Sequence, residues 1–399
     1  MGLMHLLERL KKFTHSHAMK EAGIYPYFRP VNKSDGVHVE VNGEKKLLAC
    51  SNDYVSLSTD PRVIEASDQA LKKYGTSCSG SRFLNGNTII HDELEETLAN
   101  FLGYESCVVF STGFFANLGS LTALSTKKTV IFSDKENHAS IVDGNNLSLA
   151  KVCRYHHNDI ERLESLLKKH EDTQEKIIVS DGVFSMTGEY ARLPELVELS
   201  KKYNAFLYID DAHGIGAAGK EGKGTEQHFN MSGSVDLNMG TFSKSLASIG
   251  GYVASNKDVI NYIRHHARAL IFSASIPPAS AAAALKSLQI IRDEPERISR
   301  LHKNTEYARQ LFNEYGFNVP EHGGPIIPII LEGENDMTFT FKFNQALFDH
   351  GIFCAPVLPP AVPMGTTLIR TSYMHNHTFE QIEFIVECFR KAAKDLGVF

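Results

Sequence analysis

From about Lys46 onward, short apolar runs alternate with stretches whose apolar residues recur at helical spacing. The runs SCVVFS (106–111), TVIFSD (129–134), KVCRYH (151–156), KIIVSD (176–181), AFLYIDD (205–211), VDLNMG (235–240) and GGYVAS (250–255) read as strands. Several are apolar on both faces, which predicts a parallel sheet covered by helices. The helical stretches carry their own punctuation. DPRVIEASDQALKKYG opens on Asp60 as a cap, sets Pro61 in its first turn and stops at Gly75. HDELEETLANFLG stops at Gly103, and LPELVELSKKY has Pro194 near its start. Alternation of this kind over roughly 200 residues means an α/β sheet, with functional groups expected at the carboxyl ends of its strands.

After the long helix PPASAAAALKSLQIIRDEP the rhythm changes. A helix over 296–315, a strand over 326–331, a helix over 338–350, the strands GIFCAPV and TLIRTS and a last helix over 378–396 predict a smaller α+β unit. The expected division is an N-terminal helix with short strands (1–49) near the small unit or a partner subunit, a large domain (50–285) and a C-terminal small domain (286–399). The opening MGLMHLLERLKKF places Leu3, Leu6, Leu7, Leu10 and Phe13 at helical spacing, with Arg9, Lys11 and Lys12 opposite. Packing on its own chain or on a partner subunit is the expectation, ahead of rest on a membrane surface.

Composition narrows the function. Apolar residues make up 42% of the chain and charged ones 22%, enough for a large core. A formal charge of −6 argues against a nucleic-acid binder, which needs many Lys and Arg contacts to phosphate. No run approaches the ~20 apolar residues of a membrane span, and no signal peptide is expected. The six cysteines are scattered without a C-x-x-C pair, as reduced core thiols of a cytoplasmic protein would be.

The strand ends carry the candidate chemistry. FSTGFFANLG turns through Thr112 and Gly113 into a helix, whose N-terminus suits a phosphate. His138 in SDKENHASIVDG stands where another helix begins; by itself it reads as a local cap. SDGVFSMTGE puts Asp181, Ser185 and Thr187 on a loop at the same edge. YIDDAHGIG ends a strand in two aspartates, with His213 two residues after Asp211. That pair suggests either a metal site, for which no further ligand is evident, or an acid that pairs with a heterocyclic cation. In MGTFSKSLASIGGYVAS a single amine, Lys244, sits among small and apolar residues. Burial there favours the neutral amine, a nucleophile that forms Schiff bases with aldehydes. Taken alone each group has an ordinary structural reading. Together and in this order, they are what pyridoxal 5′-phosphate (PLP) requires.

The sequence resembles the α-oxoamine synthases, PLP-dependent fold type I enzymes, from YFRPVN to the last helix. SRFLNGN (81–87), GTFSKSLASIGG (240–251), FSASIPP (272–278) and LPPAVPMGTTLIRTS (358–372) make it most similar to the serine palmitoyltransferase branch. Ser243 before Lys244 matches that branch, and Val362 departs from it where threonine is common. The resemblance implies a large domain with a mainly parallel sheet and a smaller α+β domain. It implies a decarboxylating condensation of L-serine with a long-chain acyl-CoA, such as palmitoyl-CoA, to give 3-ketodihydrosphingosine, CoA and CO2. The alternative is a relative that uses glycine or alanine with another acyl-CoA. In this reading Lys244 holds PLP and later moves a proton at the substrate Cα. Asp211 meets the pyridine nitrogen, His213 the phenolic oxygen, and His138 stacks on the ring. Gly113, Phe114, Thr241 and Ser243 surround the phosphate, and Ser185 lies near the cofactor. Asn52, Ser81 and Arg370 meet the substrate, and the PPAVP loop moves with Arg370. A homodimer is implied, with Ser273 and Ala274 reaching the neighbour's phosphate. Cytoplasmic placement with peripheral membrane contact fits a lipidic product.

Overall fold

The computed structural model describes residues 6–330, 336–359 and 361–398, so Leu3, Leu331 and Pro360 lie outside the described residues. The seven apolar runs form one sheet. In chain order its strands are β1 (Ser106–Phe110), β2 (Thr129–Asp134), β3 (Lys151–Tyr155), β4 (Glu175–Asp181), β5 (Phe206–Asp210), β6 (Leu237–Thr241) and β7 (Gly251–Ser255). Across the sheet they run β1-β7-β6-β5-β4-β2-β3. The pairs from β6 to β3 are parallel. Strand β7 is antiparallel to both β6 and β1, so the sheet is mainly parallel, as expected. The connection from Thr241 to Gly251 is too short for a crossover, which takes about a dozen residues or more, so the chain turns back instead.

Both faces of the sheet are covered because successive side chains point to opposite sides. Val108, Ile131, Val179 and Tyr208 pack with Ala116, Leu121 and Ile141 on one face. Their neighbours Phe132, Ile178 and Leu207 pack with Leu163, Leu167 and Leu196 on the other. Val109 and Tyr252 join Leu94, Leu98 and Leu288 there. Phe132 is fully buried, and burying a side chain of that kind contributes roughly 1.5–3 kcal/mol. The helix punctuation holds at the termini. Asp60 accepts the Arg62 backbone N–H ahead of the helix Pro61–Tyr74, and Gly103 closes the helix Ile89–Leu102 with φ at 83°.

The rest of the chain builds two smaller sheets. One joins Ile326–Ile330, Leu368–Ser372 and Ala355–Val357, all antiparallel. The other joins Lys33–Ser34, His38–Val41, Glu44–Leu48 and Ile352–Phe353. The single strand expected over 351–357 is therefore divided at Cys354, its two halves serving different sheets. Leu47, Ile327, Phe343, Ile352, Tyr373 and Phe389 share one core. The N-terminal strands are thereby tied to the C-terminal unit. Among the described residues the helix Leu6–Lys11 has none buried, and Leu6, Leu10 and Phe13 are each more than half exposed, so of the two expected packings the one against a partner subunit is the one left open.

Candidate active site

The carboxyl ends of β2, β4, β5 and β6 and the start of the helix Gly113–Leu124 enclose a cavity of about 320 Å³. Gly113, Phe114, His138, His213, Thr241, Ser243 and Lys244 all line it, as the sequence leads one to expect. Two glycines make its floor possible. A Cβ on Gly113 would stand 2.8 Å from Thr241 Oγ1, and one on Gly251 only 2.5 Å from Gly113 Cα. The close approach sets β7 against the helix N-terminus. Thr112 Oγ1 there accepts the Phe115 N–H at 3.1 Å, which leaves the N–H groups of Gly113 and Phe114 for an anion. The hydroxyls of Thr241 and Ser243 stand 3.0 Å apart beside it.

Lys244 sits in the turn between β6 and β7, anchored by the fully buried Phe242 and Leu246. Its amine faces the cavity and has no hydrogen-bond partner among the described residues. Burial pushes its pKa down to about 8, against the opposing pull of the Asp210 and Asp181 carboxylates, and Arg370 adds to the lowering. Near neutral pH this amine can lose its proton.

The acid on the cavity wall is Asp210, and Asp211 is the correction. Asp210 accepts Asn117 Nδ2 at 2.6 Å and the Ala212 N–H at 3.0 Å. Asp211 points the other way. Its carboxylate accepts the Thr225 N–H at 2.7 Å and the Thr225 hydroxyl, so it does not line the cavity. Burial pushes Asp211 up to about 7, partly offset by those two donors. Adjacent residues at a strand end face opposite sides, so only one of the two aspartates can look inward. His213 lines the cavity, whereas Asp211 is held by Thr225 away from it. Asp181 also lines the cavity; burial and the neighbouring Asp210 push it well above the usual carboxylate range.

His138 turns out to do both things the sequence allows. It caps the helix Ala139–Leu147 and lines the cavity. Its Nδ1 lies 2.7 Å from Ser140 Oγ and accepts the Ser140 N–H at 3.3 Å. Ser140 Oγ accepts from Asn117, whose own oxygen accepts the Tyr208 hydroxyl at 2.8 Å. Burial lowers the His138 pKa against the pull of Asp210, and because Nδ1 accepts the Ser140 N–H, the neutral ring carries its proton on Nε2. Burial pushes His213 well below the usual range, helped by Lys244, Arg370 and His138.

Arg370, Asn52 and Ser185 gather beside the cavity without lining it. Arg370 Nε donates to the Ser185 carbonyl at 2.7 Å and Nη2 to Asn52 Oδ1 at 2.9 Å. The fully buried Tyr54 connects this group to the cavity, its hydroxyl 2.7 Å from His213 Nδ1. Ser81, Ser273 and Ala274 are not brought to the cavity of their own chain. Ser81 is buried in the 80–87 turn, and the Ala274 carbonyl accepts the Ser111 hydroxyl at 3.0 Å on an exposed stretch. Asp210, Asn117 and Tyr54 join the site beyond the residues that the sequence motifs single out. The first was signalled by its place beside Asp211 and the third by its place beside Asn52 in SNDY; a helix-interior asparagine gives no such signal.

A lysine amine poised for an aldehyde, an inward carboxylate, a neutral histidine and an anion-binding helix start suit PLP. The chain belongs to the aminotransferase class I and II family, which matches residues 44–389, and its fold is that of the type I PLP-dependent enzymes. Within that family it is 46% identical over 382 residues to a serine palmitoyltransferase of Sphingobacterium spiritivorum, covering 96% of this chain and 95% of the relative. An 8-amino-7-oxononanoate synthase of Thermosipho melanesiensis is 40% identical over 380 residues, covering 95% of this chain and 96% of the relative. Among solved structures it matches the serine palmitoyltransferase of S. paucimobilis with bound PLP and myriocin. There the TM-score is 0.95 at 32% identity, covering 99% of this chain and all of that one.

Proposed function

We propose that this PLP-dependent acyltransferase condenses L-serine with a long-chain acyl-CoA, palmitoyl-CoA in the first instance, releasing CoA and CO2 and forming 3-ketodihydrosphingosine. The observation that carries the reading is the Lys244 amine, with its pKa about 8, set opposite Asp210 at the carboxyl edge of a chain 46% identical to a serine palmitoyltransferase.

Bound in the cavity, PLP supplies an electron sink joined to the substrate α-carbon. Lys244 would hold its aldehyde and would move the proton at the substrate α-carbon. Asp210, fixed by Asn117, would face the pyridine nitrogen and favour its protonated form. His213 would hold the phenolic oxygen. The Gly113 and Phe114 N–H groups, with Thr241 and Ser243, would hold the phosphate. His138 has its Nε2 proton left for a substrate carboxylate, and the planar fork of Arg370 matches the same group better than a lysine would. Asn52 and Ser185 hold that fork in place.

In a homodimer, the segment 272–275 serves the neighbouring site. Phe272 is 74% exposed, which supports its delivery to a second copy. Among the described residues no helix is long and apolar enough to cross a membrane. The enzyme works in the cytoplasm, and Leu6, Leu10 and Phe13 offer peripheral contact where a lipidic product leaves. The similarity to an oxononanoate synthase favours one second reading, in which alanine or glycine replaces serine. Titration of the holoenzyme with each amino acid tests this: serine should perturb the cofactor spectrum at the lowest concentration and support CoA release with palmitoyl-CoA. A response to alanine or glycine at lower concentration would favour the second reading.

A further inference from the structure

Among the described residues, the fully buried Tyr54 hydroxyl touches both His213 on the cavity wall and Arg370. It comes from the loop before the helix Pro61–Tyr74, Arg370 from the strand Leu368–Ser372, and His213 from the turn after β5. Three separate parts of the chain therefore meet at one oxygen. That hydroxyl has a single proton and two acceptors in reach, His213 Nδ1 at 2.7 Å and Asn52 Oδ1 at 3.2 Å. Asn52 Oδ1 already accepts Arg370 Nη2 at 2.9 Å, and Arg370 Nη2 lies 3.5 Å from the Tyr54 oxygen. With a cation donating towards its oxygen, the hydroxyl gives its proton to the imidazole.

We propose that Tyr54 is a positioning residue that fixes neutral His213 with its proton on Nε2, the nitrogen left for the cavity, and ties it to Arg370. The opposite arrangement would place the His213 proton on Nδ1, leaving a bare lone pair on Nε2 against any oxygen acceptor in the cavity. Burial keeps Tyr54 protonated and His213 uncharged, which this hydrogen bond requires. The value of Nε2–H to the cofactor rests on the PLP reading above; the tautomer does not.

The test is nitrogen NMR of the PLP-free protein labelled with ¹⁵N-histidine, with His213 assigned by its loss in His213→Gln. The expected spectrum has Nδ1 of His213 unprotonated and Nε2 protonated. Tyr54→Phe keeps the buried ring, and should mix the two tautomers and weaken PLP binding roughly tenfold, as the loss of one hydrogen bond would. Asn52→Ala should leave the tautomer as in the parent chain. A protonated Nδ1 in the parent protein, or a tautomer unmoved in Tyr54→Phe, overturns the proposal. No substrate enters the measurement, so its failure is separate from any failure of the serine reading.

Discussion

The two ends of the central sheet each carry a cavity, and the larger one is at the wrong end. The amino edge holds about 460 Å³ lined by Thr126, Thr129, Glu175, Lys176 and Asp236, against about 320 Å³ at the carboxyl edge. Their polar groups differ in kind. At the amino edge Thr126 and Thr129 donate to Glu175 Oε2 at 2.6 and 2.7 Å. Lys176 gives its amine to the Glu171 and Thr173 carbonyls, and Asp236 accepts the Leu207 N–H at 2.7 Å. At the carboxyl edge two carboxylates and an amine face one space, and the amine has no hydrogen-bond partner among the described residues. A buried amine without a hydrogen-bond partner, set against two carboxylates, marks a site; volume does not.

Substitutions at the two edges sharpen this contrast. The largest effect is expected from Lys244→Ala. Turnover should fall by at least about 10²–10⁴-fold, the range for loss of a general acid–base group, and borohydride should no longer fix PLP to the protein. Mass spectrometry that still finds a reduced adduct would break the assignment. Next come the twin aspartates. Asp210→Asn should cost turnover about 10²-fold or more while the fold is kept. Asp211→Asn should keep PLP and most turnover, yet lower stability in urea by about 1–3 kcal/mol, because a buried acceptor of Thr225 is lost. The reverse ranking would return the catalytic role to Asp211.

A smaller effect concerns pH. The Lys244 amine is protonated below its pKa of about 8, and only the neutral form attacks an aldehyde. The rate of PLP attachment to the PLP-free protein should therefore rise with pH and level off above 8. A profile still climbing steeply near pH 10 would show an amine unaffected by burial. The smallest effect belongs to the amino edge: Glu175→Gln should leave turnover within about twofold and cost no more than about 1 kcal/mol. A large loss of activity there would mean the two cavities are coupled.

Much of this site was legible in the sequence, for physical reasons that also explain what was not. Lys244, His138, His213 and Gly113 stand at ends of apolar runs, and strand ends at one edge of an α/β sheet converge whatever the details of packing. Helix ends were readable at Asp60 and Gly103 because capping is local chemistry. The choice between Asp210 and Asp211 was not, because it depends on which face of β5 meets the cavity, and an apolar run buried on both sides does not say. The direction of β7 lay in the length of its connection and not in its composition. The division at Cys354 comes from which neighbours compete for each half of the run. Tyr54 was hidden because its partners, Arg370 and His213, lie far off in the chain.

The most direct test of the account is product analysis with purified holoenzyme, L-serine and palmitoyl-CoA. The predicted result is 3-ketodihydrosphingosine, with one CO2 and one CoA released per product and none formed by Lys244→Ala. Consumption of serine without CoA release, or a ketone product formed only with alanine or glycine, would contradict it.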